Sequence, residues 1–334
     1  MNMELSMQDF CEKVKTALQN ELEENRVVRI SEVPKNNGIV LHGVSIFEPG
    51  VNITPTIYLE EYLKRYNEGE TLAALIREIK SILRRNAMDE SFDISLFTDL
   101  EKAKHRIVYK LVNVPKNQNL LKEVPYIPYL DMAIVFYYLL EDQEVGGYAT
   151  ILIQKTHLKH WDINVQELYS YAIANTERLL PPVMENLEEM MHDILRQEFG
   201  DFKKKKNPWN PEWPEEVSVD DLLEDVICER HGVPMYVLTN KYRYYGAACI
   251  LYPNLLKKIY EELHCSFYIL PSSIHEVIIL PDLGIEAEDN MLDMVREVNE
   301  TEVKAQEVLS DSVYYYQVDQ EGLRILQKEE CVTQ

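Results

Sequence analysis

Side chains that could act together on a substrate are concentrated in one short stretch, from Pro271 to Glu276. The stretch contains the residue types of an acyl-transfer triad, in which a histidine base activates a hydroxyl and an acid orients the base. These candidates are Ser272, Ser273, His275 and Glu276. In an extended strand Ser273 and His275 share one face and Glu276 points to the other, so a distant acid would have to orient the histidine. A hydrolase using Ser273 and His275 is therefore kept as an alternative function.

The same residues also fit a purely structural role between two strands. Pro271 would end the first strand, and the serine hydroxyls would satisfy backbone groups of a turn. The following segment, Val277 to Leu280, is apolar at every position, as a strand buried on both faces requires. The chain also lacks the Gly-x-Ser-x-Gly elbow of α/β-hydrolases. We therefore favour the structural interpretation.

Side chains that could bind zinc occur at Cys228, His231, His264 and Cys265. They supply the right atoms for a tetrahedral site, but His264 and Cys265 are adjacent and lack the usual gap between paired ligands. The 11 glycines form neither a Walker loop nor a dinucleotide-binding motif. We therefore predict no metal site and no cofactor.

Two Glu-x-x-His pairs resemble parts of a di-iron carboxylate site, namely Glu189 with His192 and Glu261 with His264. Ligands in a helical bundle must point inward, but both pairs lie opposite the apolar stripes of their predicted helices. We therefore predict that both pairs are exposed to solvent. A further pair, His157 and His160 next to Trp161, is predicted to pack and cap at a helix entrance rather than bind metal.

The charge of the chain limits the classes of partner. There are 57 acidic and 34 basic side chains, which gives a formal net charge of −23. Such a surface repels phosphate backbones and attracts basic proteins. We predict a non-enzymatic interaction or regulatory protein with a basic protein partner and no direct nucleic-acid binding. An acidic mimic of nucleic acid, which would occupy a DNA-binding partner, is a second alternative.

Several features predict a cytoplasmic protein. The five cysteines are dispersed along a chain too long to need disulfide staples, which favours a reducing compartment. The first residues are acidic where a signal peptide needs basic ones. The longest apolar run, Met132 to Leu140, is far shorter than the ~20 residues of a membrane helix. No feature of the sequence specifies an oligomeric state.

Residues 1–104 are predicted to form a first module, in which helices pack against one β-hairpin. Its turn contains Asn36, Asn37 and Gly38, and Thr71 is the predicted N-cap of its last long helix. The predicted elements are a helix at Ser6–Glu24, strands at Val27–Ile30 and Ile39–Phe47, and helices at Tyr58–Tyr66, Leu72–Arg85 and Ile94–Lys102.

Residues 105–200 are predicted to form a second module of strands followed by two helices. The strands are expected at Ile107–Val114, Asp131–Leu140 and Tyr148–Gln154, and the helices at Val165–Leu180 and Pro181–Phe199. Proline at the start of a helix supports the second helix. Residues 201–216 carry four consecutive lysines and three prolines without periodicity, which is typical of a linker.

Residues 217–334 are predicted to form a C-terminal α+β module. Its predicted elements are a helix at Val219–Arg230, a strand after Met235, a helix from Pro253, strands around Pro271–Glu276, a helix at Asn290–Val298 and a hairpin of Val313–Val318 with Leu323–Leu326. The chain as a whole is therefore predicted to be an α+β protein of two or three sub-domains, with short, mainly antiparallel sheets and helices packed on one face. A parallel arrangement stays open for the C-terminal module.

The chain resembles an uncharacterised bacterial family of conserved hypothetical proteins, a domain of unknown function. The resemblance rests on the segments VLTN, YYGAACIL, ILPSSIHEVIILPD and TILIQKTHLKHWDINVQELYSYAIANT, and it covers most of the chain. A more distant likeness to a second uncharacterised bacterial family lies around Asn-Ile-Thr-Pro and Leu-Tyr-Ser-Tyr-Ala-Ile-Ala-Asn. Neither resemblance implies an activity, a cofactor or a catalytic residue.

Overall fold

Three antiparallel sheets with associated helices make up the described part of the chain. The computed structural model describes residues 4–22, 25–51, 54–86, 95–141, 148–191, 234–284, 288–318 and 322–326. The predicted α+β class is confirmed, and the strand pairings in the described C-terminal residues are antiparallel. Within the described ranges, no helix is long and apolar enough to cross a membrane.

The N-terminal sheet contains the predicted hairpin. Its elements are α1 (Met7–Gln19), β1 (Val27–Pro34), β2 (Val40–Phe47), β3 (Ile57–Tyr58), α2 (Glu60–Asn67) and α3 (Leu72–Arg85). Ser6 caps α1, and Thr71 caps α3 as predicted. Helix α2 begins later than predicted because Ile57 and Tyr58 pair with β2. Phe10 of α1 and Ile79 of α3 are fully buried in the core that the helices form with this sheet.

The central sheet is built on its longest strand, β6. Its strands are β4 (Ile107–Asn113), β5 (Tyr126–Tyr129), β6 (Met132–Glu141) and β7 (Tyr148–Leu152). Strand β4 pairs with one edge of β6, and the other edge pairs with β5 and then β7. The accompanying helices are α4 (Ser95–Thr98), α5 (Leu100–Ala103), α6 (Gln118–Glu123), α7 (Lys155–Trp161) and α8 (Val165–Leu179). Asn164 and Glu167 form a capping box at α8, which confirms the predicted start of that helix.

The C-terminal sheet has the order β13-β12-β10-β11-β9-β8. Its strands are β8 (Pro182–Asn186), β9 (Tyr236–Asn240), β10 (Phe267–Pro271), β11 (Val277–Pro281), β12 (Tyr314–Tyr316) and β13 (Leu323–Ile325), and its helices are α9 (Leu255–Leu263) and α10 (Glu288–Thr301). Val277 and Ile279 of β11 face the main core, while Ile278 and Leu280 pack toward α10. The prediction that this strand is covered on both faces is therefore confirmed.

The prediction of a helix at Pro181–Phe199 is wrong for residues 181–186. Pro182–Asn186 is instead the edge strand β8, which pairs with β9, and the helix begins only at 187. Proline is tolerated at the first residue of an edge strand, where its missing N–H costs no ladder hydrogen bond. Residues 192–233, which include the rest of this prediction, the linker and the helix at Val219–Arg230, lie outside the described residues.

The turn of the N-terminal hairpin contacts the segment that follows β4 and the segment that precedes β12. The Asn37 N–H donates to Asn117 Oδ1 at 2.8 Å, and Asn37 Nδ2 donates to the Val308 carbonyl at 2.7 Å. Asn37 adopts a left-handed conformation, with φ of 60°, which its short polar side chain tolerates. Because Lys35 lies in the same turn, this docking fixes its position close to the central sheet.

Candidate functional site

The loop between β10 and β11 holds the Ser273 hydroxyl in a turn. Ser273 Oγ accepts a hydrogen bond from the His275 backbone N–H at 3.0 Å, and the Ser273 N–H donates to the Glu276 carbonyl at 3.2 Å. The Ile274 N–H donates to the Glu307 carbonyl at 2.8 Å. The hydroxyl therefore stabilises the backbone of the loop, and Ser272 and Glu276 are half-buried beside it.

The His275 imidazole faces a different segment of the chain. Its Nδ1 accepts from the Tyr245 backbone N–H at 3.2 Å, and its ring stacks on the Tyr245 ring with centroids 5.5 Å apart. Burial lowers the pKa of His275, an effect that nearby Glu307 opposes. The imidazole is therefore neutral at pH 7, with its proton on Nε2. The structure brings Ser273 and His275 into one turn, but it joins the hydroxyl to the backbone of His275 and not to its ring.

The zinc candidates that can be placed lie at the end of α9. His264 is exposed and ends the helix in a left-handed conformation, with φ of 58°, and Cys265 is a half-buried free thiol. Cys228 and His231 lie outside the described residues. Across the ranges that the structure describes, no group of three or more His, Cys, Asp or Glu side chains could hold a metal ion.

The remaining histidine predictions agree with the structure where it can be compared. Glu189, Glu261 and His264 are exposed, while His192 lies outside the described residues. His157 caps α7, because its Nδ1 accepts from the Gln154 N–H at 3.0 Å. Its ring also packs edge-on against Phe97 at 4.9 Å. The predicted capping and packing role is therefore confirmed for His157, while His160 is exposed.

A cleft of about 650 Å³ lies between the central and C-terminal sheets. Its lining includes four tyrosines: Tyr129 of β5, Tyr169 of α8, Tyr316 of β12 and Tyr252 of the segment that precedes α9. Tyr252 donates its hydroxyl to the Leu180 carbonyl at 2.7 Å. Among the described residues, the hydroxyls of the other three tyrosines form no hydrogen bond, which leaves them free to contact a ligand. We call this feature the tyrosine cleft.

Three tyrosines of the cleft keep their hydroxyl protons at neutral pH. Burial raises the pKa of Tyr129 to about 12, and it also raises the pKa of Tyr169. Burial likewise raises the pKa of Tyr316, with nearby Glu261 adding to the shift. All three phenols therefore stay neutral near pH 7 and act as hydrogen-bond donors. Lys257 is the one charged side chain in the described lining, and it is exposed at the rim.

A strained turn positions Tyr245 above the central sheet. Arg243 and Tyr245 both have positive φ, of 51° and 55°. Asn240 holds the turn together, because its Oδ1 accepts from the Tyr242 N–H at 3.0 Å and its Nδ2 donates to the Tyr244 carbonyl at 2.8 Å. Left-handed conformations of bulky residues cost free energy and cluster at functional sites. The turn presents Tyr245 to Lys110 of β4, whose ammonium nitrogen lies 4.0 Å from the ring centre.

Neither the tyrosine cleft nor the Lys110 environment was predicted from the sequence. Two signals were present: the chain has 21 tyrosines, and Lys110 is the one charged residue in the otherwise apolar run Ile107–Val112. Neither signal shows which residues converge in space. Convergence depends on how the three sheets pack, which local patterns do not specify.

The described residues form an α+β fold with a cleft between the central and C-terminal sheets. The chain belongs to the family of unknown function DUF5688, whose model matches residues 7–318. The predicted resemblance to an uncharacterised conserved family is confirmed. No curated protein and no solved structure matches the chain significantly.

Proposed function

We propose that this chain is a non-enzymatic, cytoplasmic interaction protein of regulatory role, which binds a basic protein partner at the tyrosine cleft. One observation carries the proposal: a cleft lined by four tyrosines lies on a chain with a formal net charge of −23. Arginine guanidinium groups stack on aromatic faces, and tyrosine is enriched among the residues that dominate binding energy at interfaces. An arginine side chain therefore fits the rings of the cleft and the net negative charge of the chain.

The net negative charge of the chain affects the rate of association as well as the stability of the final complex. A strongly acidic surface attracts a basic partner over distances of about 10 Å at moderate salt, and this attraction weakens as ionic strength rises. Lys257 at the rim opposes a basic ligand locally. Reversing this single charge should therefore strengthen binding, so the direction of the change in affinity tests the proposal.

The first test measures binding of a fluorescent nona-arginine peptide to the full chain by anisotropy. We expect saturable binding that weakens with added salt, and weaker binding of nona-lysine, because the ammonium group stacks less well on tyrosine. Tyr169→Leu should weaken nona-arginine binding about tenfold, since it removes a cation–π contact of roughly 1 to 2 kcal/mol. Lys257→Glu should strengthen it.

Tyr126→Leu is the matched control, because Tyr126 is an exposed tyrosine outside the cleft. It should leave the affinity unchanged. Binding that is equal in Tyr169→Leu and in the wild type, or that is indifferent to salt, would contradict the proposed function.

The hydrolase alternative is supported by one observation, that Ser273 and His275 lie in the same half-buried turn. It is tested by incubating the chain with a serine-directed fluorophosphonate probe. We expect no labelling, because Ser273 Oγ contacts the His275 backbone and His275 Nδ1 is occupied by the Tyr245 N–H. Stoichiometric labelling that Ser273→Ala abolishes would instead establish a hydrolase.

A further inference from the structure

A lysine that has no carboxylate partner among the described residues lies where the N-terminal hairpin, the central sheet and the Asn240–Gly246 turn meet. Lys110 is half-buried in β4, between Tyr109 and Leu111 of the main core. It forms no ion pair with any residue that the structure describes. Burial lowers the pKa of Lys110 to about 8; Tyr244 opposes this shift, and the charge of Lys35 adds to it. A cation in this setting is costly unless an anion accompanies it.

A second ammonium group approaches from the N-terminal hairpin. Lys35 Nζ donates to the Tyr58 hydroxyl at 2.5 Å and lies 4.1 Å from the centre of the Tyr58 ring. Like Lys110, it makes no ion pair within the described part of the chain. The Lys35 charge lowers the pKa of Lys110, as a nearby like charge does, so the two ammonium groups repel each other.

A buried tyrosine that contacts Tyr245 also has a hydroxyl without a partner among the described residues. Tyr137 is 1% exposed, and its hydroxyl forms no hydrogen bond in the described structure. Its ring packs against Tyr245, the residue over which Lys110 lies, with centroids 5.2 Å apart. An unsatisfied buried hydroxyl is uncommon in native proteins and calls for an explanation, such as a bound water, ion or ligand.

We propose that Lys35 and Lys110 form a binding site for a small oxyanion of the phosphate class. The two ammonium groups supply charge-assisted hydrogen bonds, and the Tyr58 hydroxyl, which accepts from Lys35, keeps its own proton to donate. Lys35, Tyr58, Lys110 and Tyr245 are all half-buried, so solvent reaches the group. The anion would join residues from the N-terminal hairpin, the central sheet and the C-terminal turn. This site is separate from the tyrosine cleft, and neither lysine lines that cleft.

The test is isothermal titration of the full chain with inorganic phosphate at pH 7 and constant ionic strength. We expect saturable binding, and we expect Lys110→Met and Lys35→Met each to weaken it at least tenfold. Lys258→Met, at an exposed lysine of α9, should leave the affinity unchanged. A second titration uses phosphoserine. If phosphoserine binds more tightly than inorganic phosphate, the natural ligand is a phosphate ester; if the two bind equally, it is the free ion.

The pH dependence separates a binding lysine from a structural one. Only the protonated amine binds the anion, so the wild-type affinity should fall about tenfold per pH unit above pH 8. No saturable phosphate binding by the wild type, wild-type affinity in Lys110→Met, or acetate binding as tightly as phosphate would each overturn the proposal.

Discussion

Replacing Gly246 with alanine is expected to destabilise the protein by about 3 kcal/mol or more, the upper range for an overpacked site. A Cβ at this position would lie 2.2 Å from Thr239 Oγ1, 2.5 Å from the His275 carbonyl oxygen and 2.7 Å from the Asn240 nitrogen. All three distances are far shorter than van der Waals contact. Two of the three atoms belong to the backbone, so a rotamer change cannot relieve the clash.

The third atom is also held in place. Thr239 Oγ1 donates to the His275 carbonyl at 2.8 Å, which ties β9 to the loop that precedes β11. Moving the threonine would break this bond within a closely packed region, where Thr239 is 1% exposed. The substitution should therefore separate the Tyr245 turn from His275 as well as lower the free energy of unfolding.

Urea unfolding, followed by far-UV circular dichroism, measures the loss in the free energy of unfolding. The control is Gly69→Ala, because Gly69 has φ of 110° and no atom within 4 Å of an added Cβ. It should cost only the left-handed backbone penalty, about 1 to 2 kcal/mol. A loss in Gly246→Ala no larger than in Gly69→Ala would show that the turn has room to relax.

Elements whose signals are local were predictable from the sequence. The N-terminal hairpin has turn residues between two apolar runs, and Thr71 and Asn164 cap helices at the positions where their side chains reach the first backbone N–H groups. The Val277–Pro281 strand was recognised from its uninterrupted apolar residues. In each case the residues that determine the element lie within the element or next to it.

Elements that depend on distant partners were missed. Strand β8 pairs with β9, which lies about fifty positions later, whereas Pro181 and Pro182 taken locally predict the start of a helix. The short strand β5 exists because it pairs with β6. The tyrosine cleft was missed for the same reason, because its tyrosines come from four separate segments of the chain. The linker predicted at 201–216, and the division into modules that depends on it, stay predictions.

Asp131 is the acceptor at the centre of a hydrogen-bond cluster between the central and C-terminal sheets. Its Oδ2 accepts from Ser310 Oγ at 2.6 Å and from Ser312 Oγ at 3.1 Å, and its Oδ1 accepts from the Tyr314 hydroxyl at 2.6 Å. Ser310 is fully buried and Tyr314 is 1% exposed. Burial, and then the negative charge of Asp131, raise the pKa of Tyr314, so its hydroxyl stays a proton donor.

Asp131→Ala is therefore expected to lower the free energy of unfolding by about 3 to 5 kcal/mol, because it leaves buried hydroxyls without their charged acceptor. Asp131→Asn should cost less, since it keeps one carbonyl oxygen. Chemical denaturation measures both losses, with Glu101→Ala as the control, because its ion pair with Lys104 is exposed and worth at most about 1 kcal/mol.

The double variant Asp131→Ala/Tyr314→Phe tests whether the loss in the free energy of unfolding comes from hydroxyls that are left without an acceptor. Removing the Tyr314 hydroxyl removes one donor that Asp131→Ala leaves unsatisfied, so the double variant should be less destabilised than the sum of the single losses. The coupling is expected to be about 1 to 2 kcal/mol, as for a hydrogen bond to a charged group. Strictly additive losses would mean that the two residues act independently, and that the Asp131 carboxylate does not hold the two sheets together through Tyr314.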